Sequence, residues 1–194
     1  MLNMDYTNHV TNYINDIHTV IDQLDKNAIS EFLNLMKQAA QNKSRVYICG
    51  NGGSASTASH FTGDYNKGLK SYNFDFICLS DNIAAMMAIA NDISYDEIFR
   101  YQLKDKLTEN DIVIGISGSG NSKNIVNALE YANECNAMTI GITGYNGGKV
   151  KEMCKLALHC PINDMQVVED IHLILNHMTM RILKEEAEHE NFIY

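Results

Sequence analysis

The apolar positions of the chain follow two different registers. Across residues 8–24 they fall at Val10, Tyr13, Ile14, Ile17, Val20, Ile21 and Leu24. Steps of three and four place them on one face of a helix. Asp25-Lys26-Asn27 interrupts the stripe, and Ile29, Phe32, Leu33, Met36 and Ala39 mark a second helix. From residue 46 the pattern changes to short continuous apolar runs parted by helical stretches. The runs at 46–49, 74–79, 112–116, 138–142 and 157–160 predict five strands. The stretches between them predict a helix reaching about residue 65, two short helices at 82–90 and 95–103, a helix at 123–135 and a short one near 150–154. After Pro161 a long helix is expected over 165–188. Continuous apolar strands alternating with helices predict an α/β fold, a parallel sheet covered on both faces. The first two helices precede every strand, so they lie outside any βαβ unit. They cover one side of the sheet or pack on another subunit.

With 194 residues and no repeat, low-complexity tract or linker, the chain reads as one domain. Residues 1–42 form its N-terminal helical segment and residues 43–194 its sheet and flanking helices. The formal charge of −9 argues against a nucleic-acid or anionic-membrane partner but leaves room for a small anion. No apolar run nears the length of a membrane span. The first six residues, Met1-Leu2-Asn3-Met4-Asp5-Tyr6, lack the features of a signal peptide. Cys49, Cys78, Cys135, Cys154 and Cys160 form no CxxC pair and sit mostly in apolar runs. Reduced thiols in a cytoplasmic protein are expected.

Two polar, glycine-rich turns follow predicted strands. Gly50-Asn51-Gly52-Gly53-Ser54 leads into a helix; it is neither a GxGxxG fingerprint nor a Walker loop. A tight βα turn explains its glycines equally well. Ser117-Gly118-Ser119-Gly120-Asn121-Ser122 sets three hydroxyls around two glycines before the next helix. One hydroxyl suffices for an N-cap, so three favour an anion such as phosphate. Ligands of open parallel sheets collect at the carboxyl ends of strands, where both turns lie. His60 and Asp64, four apart on one helix face, suit a metal or proton transfer. On the last helix Val168, Ile171, Ile174, Leu175, Met178 and Ile182 make one apolar stripe. Glu169 and His177 straddle the opposite face with Leu173 and Met180 between them, so both sides need cover. His172 points roughly 140° away from His177 and reads as a core residue. Asn91-Asp92 falls in the gap between two predicted helices and reads as a turn.

Taken together, CGNGGSAS…H (49–60), LSD…AIAND (79–92), GISGSGNS (115–122), ITGYNGGK (142–149) and EDIHLILNH (169–177) resemble the sugar isomerase (SIS) domain family, and within it the phosphoheptose isomerases. The resemblance covers nearly the whole chain. It implies a five-stranded parallel sheet in an αβα sandwich and a homotetramer with sites between subunits. It also implies conversion of sedoheptulose 7-phosphate into an aldose heptose 7-phosphate for lipopolysaccharide or capsule heptose. Carried over residue by residue, zinc would be held by His60, Asp64, Glu169 and His177, with Asp64 as general base and His177 as general acid. Substrate would be bound by Asn51, Gly52, Gly53, Ser54, Asp64, Asn91, Asp92, Ser117, Gly118, Ser119, Ser122 and Glu169.

The departures from the family pattern cluster at this site. Asp64 stands for Glu, Glu169 for Gln, Gly118 for Thr, Gln166 for Asp and Gly68 for Arg. The family also holds proteins without catalysis that sense a phosphosugar or dock onto a partner such as the bacterial replication initiator. The altered carboxylate positions fit that alternative. The retained His60 and His177, with an acid at each altered position, fit an enzyme better.

Overall fold

The computed structural model describes residues 4–69 and 71–190. Met1, Leu2 and Asn3, on which half of the leader expectation falls, lie outside them. Helices α1 (Thr7–Gln23) and α2 (Lys26–Asn42) precede strand β1 (Arg45–Gly50). The chain continues through α3 (Gly53–Gly68), β2 (Asp75–Cys78), α4 (Ile83–Asp92), a 3-10 turn (Tyr95–Glu97) and α5 (Arg100–Leu103). It ends with β3 (Ile112–Ser117), α6 (Lys123–Glu134), β4 (Met138–Thr143), α7 (Gly148–Met153), β5 (Leu156–His159) and α8 (Met165–Glu190).

The five strands are all parallel, in the order β2-β1-β3-β4-β5. Their alternating side chains feed two cores. Val46, Ile48, Ile114, Ile116, Ile140 and Ile142 meet α1, α2, α3 and α8 on one face. Tyr47, Cys49 and Val113 meet α4 to α7 on the other. This is the expected αβα sandwich, and the N-terminal helices do cover one side of the sheet. Strand order reverses between β1 and β3. A crevice opens at the carboxyl ends of strands at such a switch point, and ligands bind there. The two glycine-rich turns are the continuations of those two strands.

Two expectations need correction. Asn91 and Asp92 do not lie between helices: they form the last turn of α4, exposed, with Asn91 Nδ2 donating to Asp92 Oδ1 at 2.8 Å. The run of apolar residues before them keeps the helix going to its end. The buried side of α8 is also rotated from the predicted stripe. Val168, Ile171, His172, Leu175, Asn176, Thr179 and Leu183 are buried, while Ile182 is exposed. The rotation follows from α3, which packs along α8 and draws its small and polar side inward. His172 lies in the core as expected. Both its ring nitrogens are buried and make no hydrogen bond of ordinary geometry. Burial pushes its imidazole down to about 4, and the polar Thr143 backbone beside it offsets only part of this.

Candidate active site

Gly50 ends β1 where its Cα faces the backbone of Ser54, so a Cβ there would strike the first turn of α3. Buried Ser80 clamps the same residue: Gly50 N–H donates to Ser80 Oγ at 3.1 Å, and that hydroxyl donates back to the Gly50 carbonyl at 2.9 Å. Gly52 caps α3 with φ of 54°, a region that favours glycine. The first amides of α3, at Gly53 and Ser54, have no carbonyl four residues back within the helix. The Glu169 carboxylate packs against Gly53, at the positive end of α3.

The second turn is built to present hydroxyls. Gly120 N–H bonds the Ser117 carbonyl at 2.9 Å, and Gly120 has φ of 66° with its Cα against the Gly147 carbonyl. A side chain there would part this turn from the one after β4. Ser122 is the N-cap residue of α6, yet its hydroxyl makes no capping bond; it accepts from Ser117 Oγ at 3.2 Å. Ser119 is exposed. The capping role that competes with ligand binding is therefore not the one the Ser122 hydroxyl performs. Gly118 packs on Met165 at the start of α8, so it offers backbone only.

The two turns are joined by a pair that sequence reasoning missed. Asn51 Nδ2 donates to Asn124 Oδ1 and Asn124 Nδ2 donates to Asn51 Oδ1, both at 2.9 Å. Tyr95 OH donates to Asn51 Oδ1 at 2.9 Å. The Asn51 side chain thus serves the turns themselves. Between the first of these turns and α4 lies a cavity of about 230 Å³ walled chiefly by Ala55, Met86, Met87, Ala90, Ile98 and Phe99.

Helices α3 and α8 run side by side: Gly53 faces Glu169, His60 faces His177 and Gly68 faces Met180. Midway along this seam three side chains converge. His60 Nε2 is 3.2 Å from His177 Nε2 and 3.2 Å from Asp64 Oδ2; His177 Nε2 is 3.9 Å from the same oxygen. The side chains of His60, His177 and Asp64 are 45%, 55% and 31% exposed, so the cluster opens to solvent and is no buried structural ion pair. Among the described residues this is the group of His, Cys, Asp and Glu side chains whose ligand atoms, all within 4.8 Å of one another, could hold a metal ion. Donors on a tetrahedral zinc with bonds of roughly 2 Å lie about 3.3 Å apart. Two imidazole nitrogens and a carboxylate oxygen at these spacings fit three ligands with a fourth position open. Glu169 is not among them. It sits about two helical turns away, at Gly53, because residues 169 and 177 are eight apart on α8.

Asp64 has one further partner that the sequence did not flag: buried Asn176 donates to Oδ2 at 2.7 Å. An Asn directly after the apolar run Leu173-Ile174-Leu175 is the available signal.

A switch-point crevice with hydroxyl-rich turns, and a solvent-open His/carboxylate cluster on the α3–α8 pair, marks an α/β domain suited to a polar, anionic small molecule and to proton transfer. Comparison with known proteins narrows this class. The SIS domain family model matches residues 6–144. The phosphoheptose isomerase of Helicobacter pylori is 36% identical over 168 residues, covering 84% of this chain and 86% of that protein. Phosphoheptose isomerase 2 of Campylobacter jejuni is 32% identical over 174 residues, 87% and 83% of the two chains. Among solved structures, the phosphoheptose isomerase of Neisseria gonorrhoeae aligns with a TM-score of 0.83 at 28% identity over 91% of this chain and 95% of its own. That of Francisella tularensis gives 0.85 at 26% identity over 94% and 100%. The chain belongs to the SIS domain family, in its phosphoheptose isomerase branch.

Proposed function

We propose that the protein is an aldose–ketose isomerase that converts sedoheptulose 7-phosphate to D-glycero-D-manno-heptose 7-phosphate, supplying heptose for lipopolysaccharide or capsule. The observation that carries this reading is the α3–α8 seam. Gly53 and His60 are seven residues apart, about 10 Å along the helix. A seven-carbon sugar phosphate has eight bonds from carbon 1 to phosphorus and spans about 10 Å when extended. A substrate of that length spans the distance from the start of α3 to the His/Asp cluster.

In this reading the hydroxyls of Ser117, Ser119, Ser122 and Ser54, with the amides of Gly118 and the α3 start, bind the phosphate. Fixing that end positions the carbonyl end for reaction. Glu169, beside Gly53, accepts from sugar hydroxyls; Asn51 holds the two turns in register. Asn91 and Asp92 contribute from the end of α4. Asp64 removes the carbon 1 proton beside the ketone while His177 gives a proton to the carbonyl oxygen, leaving an enediol; Asp64 then gives a proton to carbon 2 and His177 takes the one on the carbon 1 hydroxyl. His60, Asp64 and His177 would hold a divalent ion such as Zn²⁺, with Glu169 reaching them only after a rearrangement. The bound ion would supply stabilisation of negative charge on the substrate oxygens.

Self-association as a homotetramer belongs to the same reading. It is supported by apolar side chains left exposed on α1 (Val10, Ile14) and α4 (Ile83, Met87). A cytoplasmic setting is supported by five free cysteines. Among the described residues no helix is long and apolar enough to cross a membrane.

The test is incubation of the protein with sedoheptulose 7-phosphate, with and without Zn²⁺, followed by NMR. Appearance of the aldose is the expected result. Binding of the sugar without conversion in either condition would overturn the isomerase reading in favour of a phosphosugar sensor.

A further inference from the structure

Asn176 is fully buried on α8 and its Nδ2 lies 2.7 Å from Asp64 Oδ2. Its Oδ1 is buried with no partner. A buried amide oxygen without a donor is destabilising, and buried polar groups are paired in nearly all native structures. An aliphatic side chain like neighbouring Leu175 would fill the position without that penalty. What the amide adds is its donor. The orientation is also determined: an ionised carboxylate only accepts, so the nitrogen must face Asp64.

Three groups approach the same carboxylate oxygen. His60 Nε2 stands 3.2 Å and His177 Nε2 3.9 Å from Oδ2. Both imidazoles are about half exposed and free to engage a substrate or an ion. Asn176 alone is packed in place. Three residues further along α8, Thr179 Oγ1 accepts from Tyr65 OH at 2.8 Å, so the residue after Asp64 is pinned to the same helix. The seam is rigid on its buried side and open on its exposed side.

We infer that Asn176 is a positioning residue: its buried amide fixes the Asp64 carboxylate through Oδ2, holding it ready for proton transfer and for an ion shared with His60 and His177. This rests on the reading of Asp64 as the base. Partners that orient a ligand side chain are typically worth about 10- to 100-fold in metal affinity or activity. A misplacement near 1 Å costs a reacting group about 100-fold.

The test uses two variants, Asn176→Leu and Asn176→Ala, on the full chain. Three quantities are read: kcat and KM for sedoheptulose 7-phosphate, the Zn²⁺ dissociation constant by calorimetry, and the Asp64 rotamer in crystals of the ion-free protein. Both variants should lose about 10- to 100-fold in kcat with KM changed less than about threefold, and weaken Zn²⁺ binding by about tenfold or more. In both, the Asp64 carboxylate should leave its place beside His60. A packing role predicts instead that Leu, which fills the space, keeps wild-type kcat while Ala loses it. Wild-type kcat in Asn176→Leu, with Asp64 unmoved, overturns the inference. If wild-type protein does not convert the sugar, the isomerase reading fails on its own. The rotamer still decides the positioning role, and an unmoved Asp64 in Asn176→Leu still overturns it. Should Asn176→Ala fail to fold, Asn176→Leu alone decides.

Discussion

Asn51 and Asn124 exchange two amide hydrogen bonds, each 2.9 Å long, across the switch point of the sheet. One residue belongs to the turn after β1 and the other to the first turn of α6. The pair therefore sets the spacing between the glycine turn and the serine turn. Asn124 is almost fully buried. Asn124→Ala leaves Asn51 short of two bonds, which should cost about 1–3 kcal/mol of stability. In a double-mutant cycle with Asn51→Ala, measured by urea unfolding, the two changes should be non-additive by about 0.5–3 kcal/mol. Additive effects would show that the turns are positioned independently.

Gly53 and Glu169 provide a second check. A Cβ on Gly53 falls on the Glu169 carboxylate, the far end of a flexible side chain, so the carboxylate yields and the backbone does not. Gly53→Ala should leave the melting temperature nearly unchanged, since Ala suits a helix interior at least as well as Gly. KM should rise about tenfold, the equivalent of one lost hydrogen bond to the sugar, about 1.4 kcal/mol. Steady-state kinetics on the variant reads this directly. An unchanged KM would remove Glu169 from substrate binding.

His172 makes stability depend on pH. Its folded-state pKa of about 4 lies below the ordinary histidine value of 6.5. The unfolded chain therefore binds the proton more readily between those values. The stability that neutral His172 supplies is fully present above about pH 6.5 and is lost as pH falls towards 4. From pH 7.5 to pH 5 the loss from this one group is about 2 kcal/mol. Urea unfolding at the two pH values should show it, and His172→Leu should flatten the dependence by that amount. An equally steep fall in His172→Leu would place the proton elsewhere.

The parts of the fold legible in the sequence are those with a strong period. Five apolar runs and the 3- and 4-residue spacing of α1 and α2 carry the sandwich, because continuous apolar strands need cover on both faces of the sheet. The two turns are legible because glycines and hydroxyls cluster directly after apolar runs. What was not legible depends on packing between elements distant in sequence. Asn91-Asp92 resembles a turn by composition, but the apolar residues ahead of it extend α4 through it. The buried side of α8 is chosen by α3, whose own weakly periodic sequence gave no hint of which face it would meet. Asn124, Ser80 and Asn176 act through partners 73, 30 and 112 positions away, and no local spacing reveals those bonds. The resemblance groups Glu169 with His60, Asp64 and His177, whereas eight residues of α8 part it from His177 and set it at Gly53.

The most direct measurement concerns Asp64. It is run in D₂O with sedoheptulose 7-phosphate, following conversion and deuterium uptake by NMR in wild type, Asp64→Asn and His177→Ala. A carboxylate base predicts that wild type forms the aldose with deuterium at carbon 2. Asp64→Asn, which keeps the shape but has no basic oxygen, should be slowed by about 100- to 10,000-fold, and His177→Ala should fall within the same range. Conversion by Asp64→Asn at the wild-type rate, or no conversion by the wild type, would contradict Asp64 as the residue that moves the proton.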